Sequence, residues 1–254
     1  MKANGRRISA LTAYDHLWAT LLDEAGIDLI LVGDSVATVV QGEDTTVPVT
    51  MDQMVYHASL VSRGAQRALV VGDMPFLSYR ISTEQALQNA GRLMQEARVE
   101  AIKLEGGQPV LDSVRRLTDA GIPVMGHLGL TPQSIHNFGT YRVRGAVEDE
   151  ATQIIEDAIC LEQAGAFGIV LEKIPRAVAS RVTAAISIPT IGIGAGVGCD
   201  GQILVTHDML GLFTKFRPRF VRRYRELAED ISESLESYVR DVQAGDFPNE
   251  EESY

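Results

Sequence analysis

Apolar residues in this chain fall into short runs of strand length, separated by longer stretches with helical spacing, and the two alternate throughout. One phrase recurs in degenerate form. A helical stretch ends in a small residue and a glycine, an apolar run follows, and the run closes on a polar residue. "LLDEAGIDLILVGDS" reaches Asp34, "LTDAGIPVMGH" reaches His127 and "LEQAGAFGIVLE" reaches Glu172; "MQEARVEAIKLE" reaches Glu105, with Arg98 where the others carry glycine. Gly26, Gly121 and Gly165 suit helix C-termini because glycine accepts the left-handed conformation there. With "ISALTAY" (8–14), "RALVVGD" (67–73), "IPTIGIG" (188–194) and "GQILVTHD" (201–208), the pattern predicts eight strands. Six of the seven intervals carry helices, over 15–25, 51–64, 82–97, 108–120, 148–164 and 175–185; the seventh, 195–200, has room only for a turn. A helical tail is predicted over 218–243, and 139–147 is an irregular loop.

Strands that alternate with helices imply a parallel sheet covered by helices. Eight such units in 254 residues predict a (β/α)8 TIM barrel, against the alternative of an open doubly wound sheet. The interior carries no linker composition, so residues 1–254 are expected to form one domain with its helical tail.

In a parallel barrel the carboxyl ends of the strands open on one rim, where active sites lie. Tyr14 and Asp15, Asp34 and Ser35, Asp73, Lys103 and Glu105, His127, and Glu172 then form one constellation. Asp34, Asp73, Glu105 and Glu172 are carboxylates from four different strands. Crowded like charges raise one another's pKa unless a cation sits among them. Magnesium fits, since it takes oxygen ligands and is often held by one or two carboxylates plus waters and substrate. Asp34 and Asp73, on neighbouring strands, are the leading metal ligands, with Glu105 reaching the metal directly or through water. One histidine and no cysteine make a poor zinc set. Lys103 lies two residues from Glu105 and so shares its side of a strand; it reads either as an ion-pair partner or as a clamp for an anionic substrate. Taken singly, Asp34 could cap a helix at "SVATVV", Asp73 could cap the turn before Pro75, and His127 could be a satisfied buried histidine. Their shared position at strand ends favours a site.

Other features add less. "GIGAGVGCDG" (192–201) runs almost directly into a strand, so it lacks the helix a dinucleotide fingerprint needs and reads as a tight rim loop. "GHLGLTPQS" (126–134) places Thr131 and Pro132 at a helix start. Apolar residues make up 45% of the chain and charged ones 22%, enough for a core. The net charge of −11 argues against nonspecific binding to nucleic acid or anionic membrane. The basic stretch "KFRPRFVRRYR" (215–225) reads as a solvated helix start or a subunit contact. The 2 cysteines, Cys160 and Cys199, form no CxxC, which excludes a cysteine-rich zinc site. There is no secretory apolar segment and no run long enough to span a membrane, so a soluble cytoplasmic protein is expected.

With those residues in place, the chain resembles the ketopantoate hydroxymethyltransferase family along roughly residues 8–250. The resemblance is carried by "TAYD" (12–15), "DEAGID" with "LVGDS" (23–35), "VTMDQMVYH" (49–57), "DMPFLSY" (73–79), "KLEGG" (103–107), "AGIPVMGHLGLTPQS" (120–134), "AGAFGIVLE" (164–172), "IPTIGIGAG" (188–196) and "CDGQILV" followed by "HDMLG" (199–211). The chain departs from the family pattern at Gly72, at Lys173 and in the tail "FPNEEESY", which lacks a histidine. The resemblance implies a (β/α)8 barrel, magnesium and a homo-oligomer, typically a decamer. It implies transfer of a hydroxymethyl group from 5,10-methylenetetrahydrofolate to the keto acid 3-methyl-2-oxobutanoate through a metal-stabilised enolate. By motif, the metal aspartates fall on Asp34 and Asp73, Glu105 lies near the metal, Ser35 and Lys103 meet the keto acid, His127 is a pocket position, and Glu172 is the general base. A magnesium-dependent 2-oxo acid lyase or mutase on a related barrel, and an inactive structural barrel, are the alternatives.

Overall fold

Of the polar residues that close the apolar runs, Asp73, His127 and Glu172 lie within their strands, whereas Asp34 and Glu105 stand two residues past theirs. The computed structural model describes residues 1–214 and 217–254, in two compact units, Met1–Leu204 and Val205–Tyr254. In the first unit, β1 (Ile8–Thr12) leads to α1 (His16–Glu24), and β2 (Leu29–Val32) to the short α2 (Val36–Val39) and α3 (Met51–Gly64). Next come β3 (Leu69–Asp73), α4 (Thr83–Gln95), β4 (Ala101–Lys103), α5 (Leu111–Asp119) and β5 (Val124–Gly129). After β5 come the one-turn α6 (Ile135–Phe138), α7 (Glu148–Gln163), β6 (Gly168–Glu172), α8 (Arg176–Ala185), β7 (Thr190–Ile193) and β8 (Gly201–Leu204). The strands are parallel and close in sequence order, with β8 paired back to β1. This is the (β/α)8 barrel.

Local chemistry explains the helix starts. Thr50 forms a capping box with Gln53 at α3, and the Ser82 hydroxyl accepts from the Gln85 N–H at α4. Where the repeat carries glycine, Gly26, Gly121 and Gly165 have φ of 89°, 83° and 96°; Arg98 takes the same left-handed region at 60°.

Strand alternation decides what faces the barrel axis. Ala10, Leu29, Leu31, Val71, Ala101, Met125, Val170, Ile191 and Ile203 pack together as the interior core. Two residues beyond Val71, Ala101, Met125 and Val170 on four consecutive strands stand Asp73, Lys103, His127 and Glu172. A side-chain period of two puts these four over the core on the same inward face. The polar layer therefore sits directly on the apolar one.

Two expected boundaries change most. The strand expected over 201–208 stops at Leu204, and in the second unit Thr206–Met209 forms a helical turn, α9. The tail helix, α10, runs Leu227–Ala244 instead of starting at 218. Arginines crowd 217–225, where they would oppose the positive end of the helix dipole, whereas Glu229 and Asp230 suit a first turn. The first two residues of the basic stretch 215–225 lie outside the described residues. Among the described residues no helix is long and apolar enough to cross a membrane.

Candidate active site

Asp34, Asp73, Lys103, Glu105 and His127 are all buried, and Glu172 keeps 17% of its side-chain surface exposed. Asp73 and Lys103 are register partners on β3 and β4, and their side chains form an ion pair with Nζ 2.9 Å from Oδ2. The same Asp73 oxygen accepts the Asp34 backbone N–H at 3.2 Å, which ties the β2 and β3 strand ends together. Lys103 Nζ also lies 3.3 Å from His127 Nδ1. His127 in turn stands between two carboxylates, with Nδ1 3.4 Å from Glu105 Oε1 and Nε2 3.3 Å from Glu172 Oε2.

The protonation states follow from these neighbours. Burial, then the charges of Asp73 and Glu105, push the Asp34 carboxyl well above the usual aspartate range. Asp73 is also raised, chiefly by burial, although Lys103 opposes the shift. Burial alone would depress the Lys103 ammonium, but Asp73, Glu105 and Asp34 together hold it above its ordinary value. Burial and Lys103 likewise work against a charged His127, yet Glu105 and Glu172 raise it to about 9. A protonated ring conflicts with a lysine hydrogen bond to Nδ1. We favour the imidazolium, since carboxylates face both ring nitrogens and Lys103 is already satisfied by Asp73.

Not every polar strand end joins this cluster. Asp15, grouped with the rim residues by sequence, caps α1 by accepting the Trp18 N–H at 2.9 Å. Ser35 precedes α2 and its hydroxyl meets the Tyr14 hydroxyl at 2.8 Å. Glu105 lies two residues beyond the end of β4, and with Lys103 it is enclosed instead of standing open on the rim. Gly106 turns the chain there at φ 121°, and a Cβ on Gly107 would lie 2.0 Å from Asp157 Cγ.

The whole-chain comparisons point one way. The family pattern of ketopantoate hydroxymethyltransferase matches residues 1–250. The chain belongs to the ketopantoate hydroxymethyltransferase family. The 3-methyl-2-oxobutanoate hydroxymethyltransferase of Prosthecochloris aestuarii is 59% identical over 258 residues, covering 100% of this chain and 93% of that protein. The proteins of the same name from Chlorobaculum tepidum and Flavobacterium johnsoniae are 56% and 55% identical, each over 100% of this chain and 93% of theirs. Among solved structures, 2,3-dimethylmalate lyase of the PEP mutase/isocitrate lyase superfamily aligns with a TM-score of 0.64 at 18% identity, over 95% of this chain and 85% of that one. Phosphonopyruvate hydrolase gives 0.64 at 12% identity, over 96% and 84%. These structural likenesses carry the fold alone. The family is one of transferases, so the chain is an enzyme.

Two residues of this ketopantoate hydroxymethyltransferase family site escaped the sequence reading. Gln133 is buried, and its Nε2 donates to Asp34 Oδ2 at 2.9 Å and to the Met74 carbonyl at 3.0 Å. Its backbone N–H donates to Glu105 Oε2 at 3.0 Å, and its Oε1 accepts the Tyr79 hydroxyl at 2.7 Å. Tyr79, buried and held neutral by burial and by Glu105, also accepts the Glu105 N–H at 3.2 Å. Gln133 follows Pro132 in a one-turn segment, where neither helix nor strand periodicity marks an inward position. The one available signal was a polar side chain just past the end of β5.

Do these residues fit a metal? Among the described residues no three His, Cys, Asp or Glu side chains converge as a ready-made metal cage. What the site holds is a set of buried acidic oxygens, of which Asp73 Oδ1 has no hydrogen-bond partner and Glu105 Oε1 faces His127 Nδ1 at 3.4 Å. Buried carboxylate oxygens left bare are costly. Oxygen donors of this kind, few in number, fit magnesium, which keeps waters and takes substrate atoms as its remaining ligands.

Proposed function

We propose that this chain transfers a hydroxymethyl group from 5,10-methylenetetrahydrofolate to 3-methyl-2-oxobutanoate, giving 2-dehydropantoate and tetrahydrofolate. The observation that carries the reading is Asp73 Oδ1, an oxygen without a hydrogen-bond partner in a buried acidic cluster with Asp34 and Glu105, beside Lys103. Asp34 and Asp73, with Glu105 alongside, would hold a divalent cation, magnesium in the family pattern, which when bound supplies Lewis acidity to the keto group.

The chain's own residues do the rest. Lys103 brings a positive charge to the substrate carboxylate, and the Ser35 hydroxyl, held by Tyr14, faces the same anion. Glu172, at the end of β6, takes the proton from C3. His127 lies against Glu172 Oε2 and orients it. Gln133 fixes Asp34 and Glu105 at once, so that the acidic cluster is preorganised. In the balance, the C3–H bond breaks and a bond forms from C3 to the one-carbon unit. The bonds from that unit to the two folate nitrogens are replaced, and water supplies the hydroxyl oxygen. No oxidant or reductant is required.

Mass spectrometry of the product from the keto acid and 5,10-methylenetetrahydrofolate, with and without Mg²⁺, tests the reading. Glu172→Gln should lose about 10²–10⁴-fold in turnover; near wild-type turnover would remove Glu172 from the base role. Asp34→Asn and Asp73→Asn should weaken Mg²⁺ binding measured by calorimetry, and unchanged affinity in both would sink the metal assignment. The same reading includes self-association to a homo-oligomer, a decamer in the family pattern, which light scattering of the full chain measures directly.

A further inference from the structure

The loop after β3, "MPFLSY", is anchored at one end and open in the middle. Tyr79 is fully buried and bonded to Gln133, while Phe76 and Leu77 are 38% and 45% exposed. Leu77 sits at φ 62°, a region that bulky L-residues seldom occupy. Strain of this sort concentrates at ligand clamps and active sites. Beside the loop lies a cavity of about 340 Å³ lined by Phe76, Arg80, Gln133, Ser134, His136 and Asn137.

Its chemistry is amphipathic. Phe76 offers an exposed aromatic ring in a chain whose aromatic content is only 6%. The Arg80 guanidinium donates to the Glu105 carbonyl at 2.9 Å and has no carboxylate partner among the described residues. The guanidinium also lies over the Tyr79 ring, 5.5 Å from its centre, and as a cation without an acid partner in a chain of net charge −11 it is available to an anionic ligand. His136 and Asn137 are exposed on α6 beside it. The cavity also adjoins the acidic cluster directly: Gln133, one of its walls, donates to Asp34, and Arg80 holds the Glu105 backbone.

We infer that this cavity is the subsite for the one-carbon donor, a reduced folate, with its bicyclic ring against Phe76 and its glutamyl carboxylates at Arg80 and His136. The inference rests on the transferase reading above, and it places a donor that the reading left unplaced. A donor must present its carbon to a keto acid held by Lys103 and the acidic cluster, and this cavity shares side chains with that cluster. Its volume, at the small end of the range for ligand pockets, suits the ring and leaves the tail near the exposed Arg80 and His136. A flat ring stacks on an aromatic face, and a carboxylate forms charge-assisted hydrogen bonds with a guanidinium.

Calorimetric titration with tetrahydrofolate tests it in the full chain, in Arg80→Gln and in Phe76→Ala. Each variant should bind about tenfold or more weakly than wild type. With 6-methyltetrahydropterin, the ring without the tail, only Phe76→Ala should lose affinity. In the transfer assay both variants should raise the KM for the folate donor far more than the KM for the keto acid. Should Arg80→Gln fail to fold, the exposed Phe76 position still decides. Product formation by wild type, with tetrahydrofolate affinity unchanged in the variants, overturns the subsite alone. A wild type that neither binds tetrahydrofolate nor forms product overturns the transferase reading and the subsite with it.

Discussion

At the amino end of the barrel Asp28 accepts the Ser9 backbone N–H at 3.0 Å and its hydroxyl at 2.8 Å, with Arg6 2.8 Å away. At the carboxyl end Asp34 is buried facing Asp73 and Glu105, and Gln133 Nε2 donates to one of its oxygens. Burial works against both charges, but at Asp28 the Ser9 donors and Arg6 prevail and hold the carboxyl below its usual range. At Asp34 burial and like charge prevail and raise it. The amino end repeats the Asp28 arrangement. Asp23 accepts the Arg67 and Ala68 N–H groups, Glu162 accepts those of Ser187 and Ile188, and Asp200 accepts that of Thr190 with Lys2 3.1 Å away. Acids at one end stitch helices and strand starts to neighbouring segments; acids at the other are packed against one another. The first arrangement stabilises the barrel, and the second costs stability that a ligand or metal would restore.

The sharpest way to break the contrast is Lys103→Met. It removes the ammonium that faces Asp73 without changing the length of the side chain much, and leaves a buried carboxylate bare. The loss should be about 3–5 kcal/mol in urea denaturation at neutral pH. It should shrink as the pH falls, because Asp34 and Asp73 have raised pKa values and are the first of these carboxyls to take up protons. A loss under about 1 kcal/mol, the scale of a surface pair, would mean the cluster is not under charge strain.

His127→Gln tests the same end with a smaller effect, roughly 1–3 kcal/mol at slightly acid pH. The sign is set by the raised folded value of about 9 against an ordinary 6.5. A group raised in the fold contributes stability in full below 6.5 and loses it as the pH climbs through about 9. Urea midpoints measured without divalent cation should therefore fall for wild type across that window and stay flatter for the variant. Parallel curves would show that Glu105 and Glu172 do not hold the proton on His127.

How much of this was legible beforehand differs between the two ends. Asp73, Lys103, His127 and Glu172 were readable because each lies two residues past an interior apolar position, and alternation carries that face forward. Asp15 looked the same, yet a polar residue between a strand and a helix is also what an N-cap requires, and here the cap won. Alternation placed Lys103 and Glu105 on one side but could not say that the strand stops at Lys103, or that both are enclosed. Gln133 and Tyr79 sit on irregular rim segments, where no period announces which way a side chain points. The amino-end acids were missed for a related reason: their partners are backbone N–H groups of segments distant in sequence, and a backbone donor leaves no mark in sequence.

Those acids give the mildest test and the one with the opposite sign. Asp28→Asn keeps an acceptor for the Ser9 N–H but loses the charge that Arg6 and Ser9 favour, so about 1 kcal/mol should go at neutral pH. Asp28 has a folded pKa below its ordinary 3.8, so its contribution is present above that value and is lost as the pH falls through the folded value. Wild type and variant should differ by a constant amount from neutral pH to mildly acid conditions and converge only in strong acid. Asp34 runs the other way: its raised pKa favours the protonated form in the fold, so its contribution is lost as the pH rises. If Asp28→Asn instead gained stability relative to wild type with rising pH, the acids at the two ends would be alike, and the division of the barrel into a stitched end and a strained end would fail.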